Sequence, residues 1–248
     1  MSWNVCTLGT DADSGPSTGK IWKVGISLED QNSSSIDAAE ATLLRRLRAG
    51  GPSALADVFS TYQERLHRMV SFRLDPRVRG RIDAADVLQE AYLRISRRLV
   101  DFLDQPSVSF FVWVRQQTLQ VLIDMQRTQF REARSPQREI RLATPGDSAA
   151  TSLSIACRLV DAIQSPSQIV SRNEALHRVR EALESMNPID REVLALRHFE
   201  QLGNAEVAQI LNLSPTAASN RYVRAAGRLA DIVSQVRADT SGQPKDAP

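Results

Sequence analysis

The sequence predicts an all-α fold of two small helical domains, an N-terminal helical bundle and a C-terminal helix-turn-helix domain, joined by a flexible linker. Apolar residues recur at spacings of three and four along most of the chain, which is the period of an amphipathic helix. No stretch of useful length alternates between apolar and polar residues as a half-buried strand does. A segment punctuated by proline, serine and glycine separates the two groups of helices. The length of 248 residues agrees with one or two domains.

Composition and periodicity divide the chain further. The start is rich in serine, glycine and aspartate, has little periodicity and carries more acidic than basic residues, which is typical of a flexible extension. The linker contains one apolar stretch, Leu153–Ile163, that could form a short helix. The predicted segments are an acidic extension at 1–36, a first domain at 37–133, the linker at 134–168, a second domain at 169–237 and a disordered tail at 238–248.

The overall composition excludes several classes of protein. Hydrophobic residues make up 42% and charged residues 24% of the chain, and no apolar run approaches the ~20 residues needed to cross a bilayer. The first residues lack the pattern of a secretory signal, so we expect a cytoplasmic protein without membrane insertion. Cys6 and Cys157 lie far apart with no histidine or cysteine at metal-binding spacing. The sequence therefore predicts no metal site and no cofactor.

The first domain opens with two predicted helices separated by glycines. The first spans Ala38–Arg48 and ends at Gly50-Gly51, because glycine commonly ends a helix. Pro52-Ser53 then begins a long helix, since proline is favoured in a first helical turn. Its inward-facing residues follow helical spacing: Leu55, Val58, Phe59, Tyr62, Leu66 and Met69.

A further helix, Asp83–Leu99, combines an apolar face with acidic residues at its start. The exposed polar residues at this end are Asp83, Asp86, Gln89 and Glu90. Acidic residues in a first turn are favoured by the helix dipole, which accounts for Asp83 and Asp86 without any partner. It leaves Glu90, one turn beyond Asp86, unexplained, and a docking surface for a basic partner helix would explain all four.

The third long helix of this domain begins near Ser109 and becomes basic toward its end. Phe110 and Trp113 lie on its apolar stripe and are predicted to be core residues. Arg127–Arg141 carries five arginines against two glutamates. The only lysines of the chain are Lys20, Lys23 and Lys245, so 28 of its 31 basic residues are arginines. Arginine suits phosphate and base recognition, although an arginine-rich genome would produce the same composition.

The second domain begins with two helical seams that precede the helix-turn-helix. The first comprises Leu176, Val179, Leu183 and Met186 and ends at Asn187-Pro188. The second comprises Ile189, Val193, Leu196 and Phe199.

Two helices joined by a tight turn follow in Leu194–Leu229. Asn204 is predicted to cap the first of them. Asn212 supplies the turn because asparagine tolerates the left-handed conformation. Ser214-Pro215 provides an N-cap and a proline in the first position of the second helix. This order of signals is typical of a DNA-binding helix-turn-helix.

The second helix separates into an apolar and a polar face. Ala218, Tyr222, Ala225, Leu229, Ile232 and Val236 form the apolar stripe. Short polar groups and arginines occupy the other side, as in a helix that enters the major groove; a solvated arginine face is the alternative explanation. The outward residues are Ser219, Asn220, Val223 and Arg224, flanked by Arg221 and Arg228.

Three motifs in this order resemble a known family. DAADVLQEAYLRISRRL at 83–99, FFVWVRQQTLQVLIDMQR at 110–127 and the C-terminal helix-turn-helix are similar to those of bacterial RNA polymerase sigma factors of the sigma-70 family, extracytoplasmic-function (ECF) type. The resemblance covers residues 40–235. It implies a sigma factor that binds core polymerase and promoter DNA, catalyses nothing itself and has a regulatory partner such as an anti-sigma factor.

The resemblance also implies a role for each motif. Asp83, Asp86, Gln89 and Glu90 match the helix that docks on the polymerase clamp. The helix that begins near Ser109 matches the segment that engages the melted −10 element, and Gln120 stands where the family often has asparagine. The implied −10 residues are Gln120, Asp124, Arg127, Arg131 and Arg134. The implied −35 residues are Ser219, Asn220, Arg221, Val223, Arg224 and Arg228.

Two other functions are compatible with parts of the sequence. A helix-turn-helix transcriptional regulator with a separate N-terminal sensing or partner-binding domain would explain the second domain alone. A nucleic-acid-processing enzyme would need a clustered nucleophile or metal site. The acids at 83, 86 and 90 are the only candidates for such a site, and they have no histidine or further carboxylate nearby in the sequence.

Overall fold

The computed structural model describes residues 33–132, 148–163 and 169–241, and within these residues the regular structure is helical and contains no strand. The predicted all-α class is confirmed. The α-helices are α1 Ser33–Arg73, α2 Ala84–Asp104, α3 Phe110–Glu132, α4 Ser148–Ile163, α5 Ile169–Glu184, α6 Pro188–Leu194, α7 Asn204–Leu211 and α8 Pro215–Ser241. A short 3₁₀ turn, Pro76–Val78, follows α1, and a π-helical turn, Ala195–Phe199, follows α6.

A sharp kink interrupts α1 at its paired glycines. Gly51 has φ 53° and ψ −136°, a conformation that residues with a Cβ rarely adopt. A Cβ on Gly50 would lie 2.7 Å from the Cβ of Ala54. The absence of a side chain at Gly50 therefore allows Ala54 to approach the backbone at the kink. The break predicted at Gly50-Gly51 is confirmed.

Aromatic residues from α2 and α3 form part of the core of the first half of the described structure, residues 33–132. Phe110 is completely buried, and the ring of the partly buried Trp113 stacks on Phe102 with centroids 4.5 Å apart. Both rings lie on the interior side, as predicted. The apolar face predicted for α2 is also buried at Leu88, Ala91, Ile95 and Leu99.

The described part of the predicted linker contains α4, which packs against α5 and α6. Ile155, Ala156 and Val160 are buried in the same cluster as Val179 and Leu183 of α5. The apolar stretch Leu153–Ile163 is therefore helical. It contributes to the core of the second half of the described structure, which comprises residues 148–163 and 169–241.

The start of α6 differs from the predicted apolar seam. Ile189 is 39% exposed, so its prediction as an inward residue was wrong. Asp190 and Arg191 take the inward positions of this turn because each has a partner there. Asp190 accepts a hydrogen bond from Arg221, and Arg191 donates to the hydroxyl of Ser152.

The two halves share one hydrophobic cluster. Val193, Leu196 and Val207 from the second half belong to the same buried cluster as Leu66 and Phe111 from the first. The described residues from Glu40 onward accordingly form one unit.

Candidate polymerase and nucleic-acid interfaces

The helix-turn-helix has the turn that its sequence predicts. Asn212 ends α7 in the left-handed conformation, with φ 52° and ψ 49°. The Ser214 hydroxyl accepts a hydrogen bond from the Ala217 amide at 3.1 Å, and Pro215 is the first residue of α8. The predictions for Asn212 and for Ser214-Pro215 are confirmed.

The predicted cap at Asn204 was wrong. Gly203 occupies the N-cap position of α7, and its amide donates to the Glu206 carboxylate at 2.8 Å. Asn204 is instead the first helical residue, and its Nδ2 donates to the Pro215 carbonyl at 2.8 Å. A glycine has no capping side chain, so the carboxylate of Glu206 satisfies the amide from within the helix. The Asn204 side chain is not needed for capping and links α7 to α8 through its hydrogen bond to Pro215.

The two faces of α8 differ in burial as predicted. Ala218, Ala225 and Leu229 are at most 1% exposed. Val223, in contrast, is 58% exposed, although it is apolar. An exposed valine beside polar groups provides an apolar contact for a base edge such as the thymine methyl group. We define the reading face of α8 as Ser219, Asn220, Val223 and Arg224, all of which are exposed.

The two arginines that flank the reading face have different surroundings. Arg228 is exposed. Arg221 is partly buried, and its Nη1 donates to Asp190 Oδ1 of α6 at 2.7 Å. Arg221 therefore also links α8 to α6. Asp190 is 31 residues away in sequence, and no local pattern announces this pair.

Four of the predicted −10 residues lie along one stripe of α3. Gln120, Asp124, Arg127 and Arg131 follow one another at i, i+4, i+7 and i+11, which places them on one side of the helix. Arg131 is exposed and the other three are partly buried. The fifth predicted residue, Arg134, lies outside the described residues.

The stripe includes a side-chain network that sequence reasoning missed. Asp124 accepts a hydrogen bond from Gln120 Nε2 at 2.9 Å and forms an ion pair with Arg94 Nη2 at 2.9 Å. Arg94 belongs to α2, and only the packing of α2 on α3 brings it to this surface. The network orients the Gln120 amide and brings the guanidinium of Arg94, paired with Asp124, to the same surface.

The acidic start of α2 has both a local role and an exposed surface. Asp83 is the N-cap and accepts from the Asp86 amide at 2.9 Å, and the Asp86 side chain accepts in return from the Asp83 amide at 3.5 Å. This capping box accounts for the two aspartates. Gln89 and Glu90 are exposed and take no part in the cap. All four predicted docking residues are exposed on one end of the helix.

The described residues contain no group of three or more histidine, cysteine, aspartate or glutamate side chains that could hold a metal ion. Among the same residues, no helix has both the length and the apolar character that crossing a membrane requires.

The comparison with protein families gives one match that spans most of the chain. Residues 38–232 match the family described as ECF sigma factor. The chain belongs to the ECF sigma factor family. Among solved structures, this sigma factor is similar to a chain in one titled "Structure of CnrH in complex with the cytosolic domain of CnrY". The two are 21% identical, the match covers 79% of this sigma factor and 98% of that chain, and the TM-score is 0.44. A search of curated proteins found no match to this sigma factor.

Family membership decides between the functions that the sequence left open. The protein is an RNA polymerase sigma factor, which binds the core enzyme and directs promoter recognition at the −35 and −10 elements and transcription initiation. The alternatives of a two-domain regulator and of a nucleic-acid-processing enzyme are no longer needed. The family is one of transcription initiation factors.

A buried cluster of charges joins the two halves of this sigma factor. Glu200, which follows the π-helical turn, is fully buried and is bonded to Arg73 of α1 and Arg115 of α3. Arg73 also bonds Glu192 of α6, which accepts from the Thr151 hydroxyl of α4 at 2.8 Å. Sequence reasoning missed this cluster because its members are separated by up to 127 residues.

The positive and negative charges of this cluster balance, because two arginines pair with two glutamates. Burial alone would raise the pKa of Glu200, but the charges and hydrogen bonds of Arg115 and Arg73 outweigh it and hold the pKa below the ordinary value of 4.5. Burial likewise lowers the pKa of Arg73, and Glu192 and Glu200 more than reverse that effect. Glu200 and Arg73 are therefore both charged at neutral pH.

Proposed function

We propose that α8 recognises the −35 element through its reading face, with Arg221 and Arg228 contacting the phosphate backbone. The observation that carries this proposal is the geometry of the motif. The left-handed turn at Asn212 and the Asn204-to-Pro215 hydrogen bond set α8 against α7, so that its buried face packs inward and the reading face points to solvent. An exposed polar helix face beside arginines matches the direct readout of base edges in a major groove.

The −35 assignment is tested by transcription with purified core polymerase from a promoter library randomised at −35. The double variant Ser219→Ala with Arg224→Ala should lose the sequence preference, by about 1–3 kcal/mol per lost base contact, while keeping the −10 preference. A matched control changes the same residue types outside the reading face, Ser234→Ala with Arg180→Ala. Unchanged −35 selectivity in the first variant would show that the assigned face is wrong.

We propose that the α3 stripe, with Arg94 beside it, engages the −10 element after strand separation. Arg127 and Arg131 supply charge for the backbone, and Arg134 extends this basic run in the sequence. The Gln120 amide, oriented by Asp124, is placed to accept or donate to the edge of an unstacked base. Because Gln120 is one methylene longer than asparagine, its length sets which base is reached.

The −10 assignment is tested by the base preference of two matched variants. Gln120→Asn should change the preferred base in a library randomised at −10 and leave the −35 preference as it was. Gln116→Asn, an exposed position one turn earlier on α3, is the control and should change neither. An identical −10 preference in wild type and Gln120→Asn would contradict the proposal.

We propose that the start of α2 docks on core polymerase. The support is the exposure of Gln89 and Glu90, whose side chains the capping box does not use. Glu90→Lys should weaken binding to purified core at least tenfold by reversing a charge that faces a basic partner. Asp101→Lys makes the same charge change at the other end of α2 and should bind normally. Equal affinities for both variants would remove Glu90 from the docking surface.

We propose further that residues 37–133 act as the core-binding and −10 domain and residues 169–237 as the −35 domain. On this proposal the chain itself catalyses nothing, acts in the cytoplasm with the polymerase, and is controlled by an anti-sigma factor or another regulator. A regulator of this kind would be recognised by its ability to displace the full chain from core polymerase in a competition experiment.

A further inference from the structure

Three exposed arginines lie between α1 and α2, outside the proposed −10, −35 and docking surfaces. They are Arg77, Arg79 and Arg81, which occupy alternate positions in and after the short 3₁₀ turn. We call the segment from Pro76 to Arg81 the arginine turn. It contains no acidic residue, so positive charge is concentrated there.

The backbone of the arginine turn is fixed by an apolar anchor and by hydrogen bonds. Val78 is only 2% exposed. Its carbonyl accepts from the Arg81 amide at 2.9 Å. Just before the turn, the Asp75 amide donates to the side chain of Gln126 on α3 at 2.8 Å. The turn therefore presents Arg79 and Arg81 from an ordered backbone, which lowers the entropic cost of binding a ligand.

Arg77 differs from the other two arginines because it has partners within the protein. Its Nε donates to Asp75 Oδ1 at 3.0 Å, and its guanidinium lies 4.8 Å from the centroid of the Phe130 ring of α3. Burial would raise the pKa of Asp75, but the hydrogen bonds and charge of Arg77 and the charge of Arg79 hold it below the ordinary value of 3.8. Asp75 is thus ionised and neutralises Arg77, which joins the turn to α3.

The arginine turn extends the positive charge at the end of the α3 stripe. The segment contacts Gln126 and Phe130, which are next in sequence to Arg127 and Arg131. Within the residues that the structure describes, no carboxylate is hydrogen-bonded to the arginines that remain on this surface: Arg79, Arg81, Arg127 and Arg131. Guanidinium groups pair well with phosphates, and a row of them suits a phosphate backbone.

The position of the arginine turn indicates which DNA it meets. Gln126 lies six residues beyond Gln120, about 9 Å along the helix or about three base pairs of DNA. The chain continues from this end of α3 into the linker and the −35 domain. DNA strands must be separated from the −10 element to the start point of transcription, where the template is copied. The duplex that borders the melted −10 element therefore lies on its −35 side.

We infer that the arginine turn binds phosphates of the promoter duplex immediately on the −35 side of the −10 element, through Arg79 and Arg81. This inference rests on the proposed function of the α3 stripe. Phosphate contacts fix the position of a protein on the duplex but read no sequence. The turn should thus add affinity for any sequence at this place and leave the preferences at −10 and −35 unchanged.

A salt series with the full chain bound to core polymerase tests the inference. For Arg79→Ala with Arg81→Ala, the slope of log affinity for promoter DNA against log salt concentration should be less negative by about 1.8, which is about 0.9 for each of two phosphates. Between about 50 and 200 mM salt, the wild type should accordingly lose about twelvefold more affinity than the variant. The base preferences at −10 and −35 should not change.

The matched control removes two exposed arginines at the same spacing on α5. Arg178 and Arg180 form ion pairs with Glu174 and Glu184, one turn away on the same helix. Arg178→Ala with Arg180→Ala makes the same change in net charge and should keep the wild-type salt slope. A wild-type slope in the Arg79 and Arg81 variant, or an equal change of slope in the control, would overturn the inference.

A pair of templates locates the contact on the DNA. Both carry a premelted −10 element, and one of them ends at the −35 edge of that element. The Arg79 and Arg81 variant should bind less tightly than the wild type to the longer template and equally to the truncated one. A defect of the same size on the truncated template would place the contact elsewhere and overturn the inference.

Gly80 allows a charge to be added between the two arginines. A Cβ at this position meets no atom within 4 Å, so a longer side chain fits without displacing its neighbours. Gly80→Glu should weaken binding to the longer template at least threefold because its carboxylate repels phosphate. Gly80→Gln has nearly the same shape without the charge and should bind like the wild type. Equal binding by the two Gly80 variants would contradict the inference.

An acidic surface of core polymerase is the other kind of partner that exposed arginines fit. Binding to purified core without DNA separates the two. The Arg79 and Arg81 variant should bind core as tightly as the wild type, and weaker binding would assign the turn to the polymerase and overturn the inference. Failure of the proposed function gives a different result, because Gln120→Asn would then leave the −10 base preference unchanged whatever the salt slopes.

Discussion

The arginines inside the domain interface and those on the outer face of α8 are the same residue type with opposite surroundings. Arg115 is only 2% exposed and is bonded to a carboxylate that is itself fully buried. Arg224 and Arg228, in contrast, lie exposed on α8. The high arginine content of this chain is therefore not one signal. Part of it holds the molecule together, and part of it lies where DNA can reach it.

The physical reason for the difference is the cost of removing charge from water. A buried ion pair gives little net stability, but removal of one partner leaves an uncompensated charge in a region of low polarity. An exposed arginine has no such dependence because water replaces any partner that is lost. The two regions should consequently respond very differently to the same kind of substitution.

The largest effect is expected for Glu200→Gln, which neutralises the central carboxylate of the buried charge cluster without changing the size of the side chain. It leaves the buried Arg115 without a counter-charge and the largely buried Arg73 with Glu192 alone, and the free energy of unfolding should fall by about 3–5 kcal/mol. Glu184→Gln, at an exposed position paired with Arg180 one turn away, should cost no more than about 0.5 kcal/mol. Urea denaturation of both full-length variants measures the difference. Similar losses in the two would show that burial does not distinguish these carboxylates.

Acid should remove much of the same stabilisation from the wild type. The pKa of Glu200 is lowered in the folded state, so its contribution is complete above 4.5 and is lost as the pH falls below that value. Glu200→Gln has no carboxyl group to protonate at this position. The stability difference between wild type and variant should therefore be largest near neutral pH and shrink toward about pH 3. A difference that stays constant over this range would mean that folding does not change the pKa of Glu200.

The contrast between the regions also marks how far the sequence could predict the structure. The turn at Asn212, the Ser214 cap and the kink at Gly51 were predictable because each depends on the conformational preferences of one or two residues. The exposure of the reading face followed from helical periodicity alone. These are all local properties.

The missed features depend on residues that are distant in the chain. No residue near Glu200 in the sequence predicts its pairing with Arg73 and Arg115. Arg94 reaches Asp124 only because α2 packs on α3. Asparagine is a common N-cap, but here the Glu206 carboxylate accepts from the Gly203 amide at the N-cap, and the Asn204 side chain bonds the Pro215 carbonyl. The DNA and polymerase roles of the site residues remain predictions, because folding and exposure do not by themselves determine what a surface binds.

Arg221 allows an intermediate case to be measured, since it lies between the two regions in burial. Its pairing with Asp190 should contribute a coupling energy of about 1–2 kcal/mol in a double-mutant cycle of Arg221→Ala and Asp190→Ala. The single Arg221 variant should lose both stability and some DNA affinity. A coupling energy near zero would place Arg221 with the exposed arginines and leave the α6-to-α8 contact to apolar packing.

The smallest effect on stability is expected at Arg224 and Arg228. Replacement of either by alanine should change the free energy of unfolding by no more than about 0.5 kcal/mol, because neither side chain is buried. A second difference concerns DNA binding. If Arg228 neutralises one phosphate, its loss should make the slope of log affinity against log salt concentration less negative by about 0.9.

Arg224→Ala should also relax the −35 sequence preference, since Arg224 belongs to the reading face. The measurement is binding of holoenzyme to promoter DNA over a salt series, with Arg180→Ala as the control that should alter neither slope nor preference. A large loss of stability in either variant would mean that the outer arginines share the structural role of the buried ones, and the division between the two regions would fail.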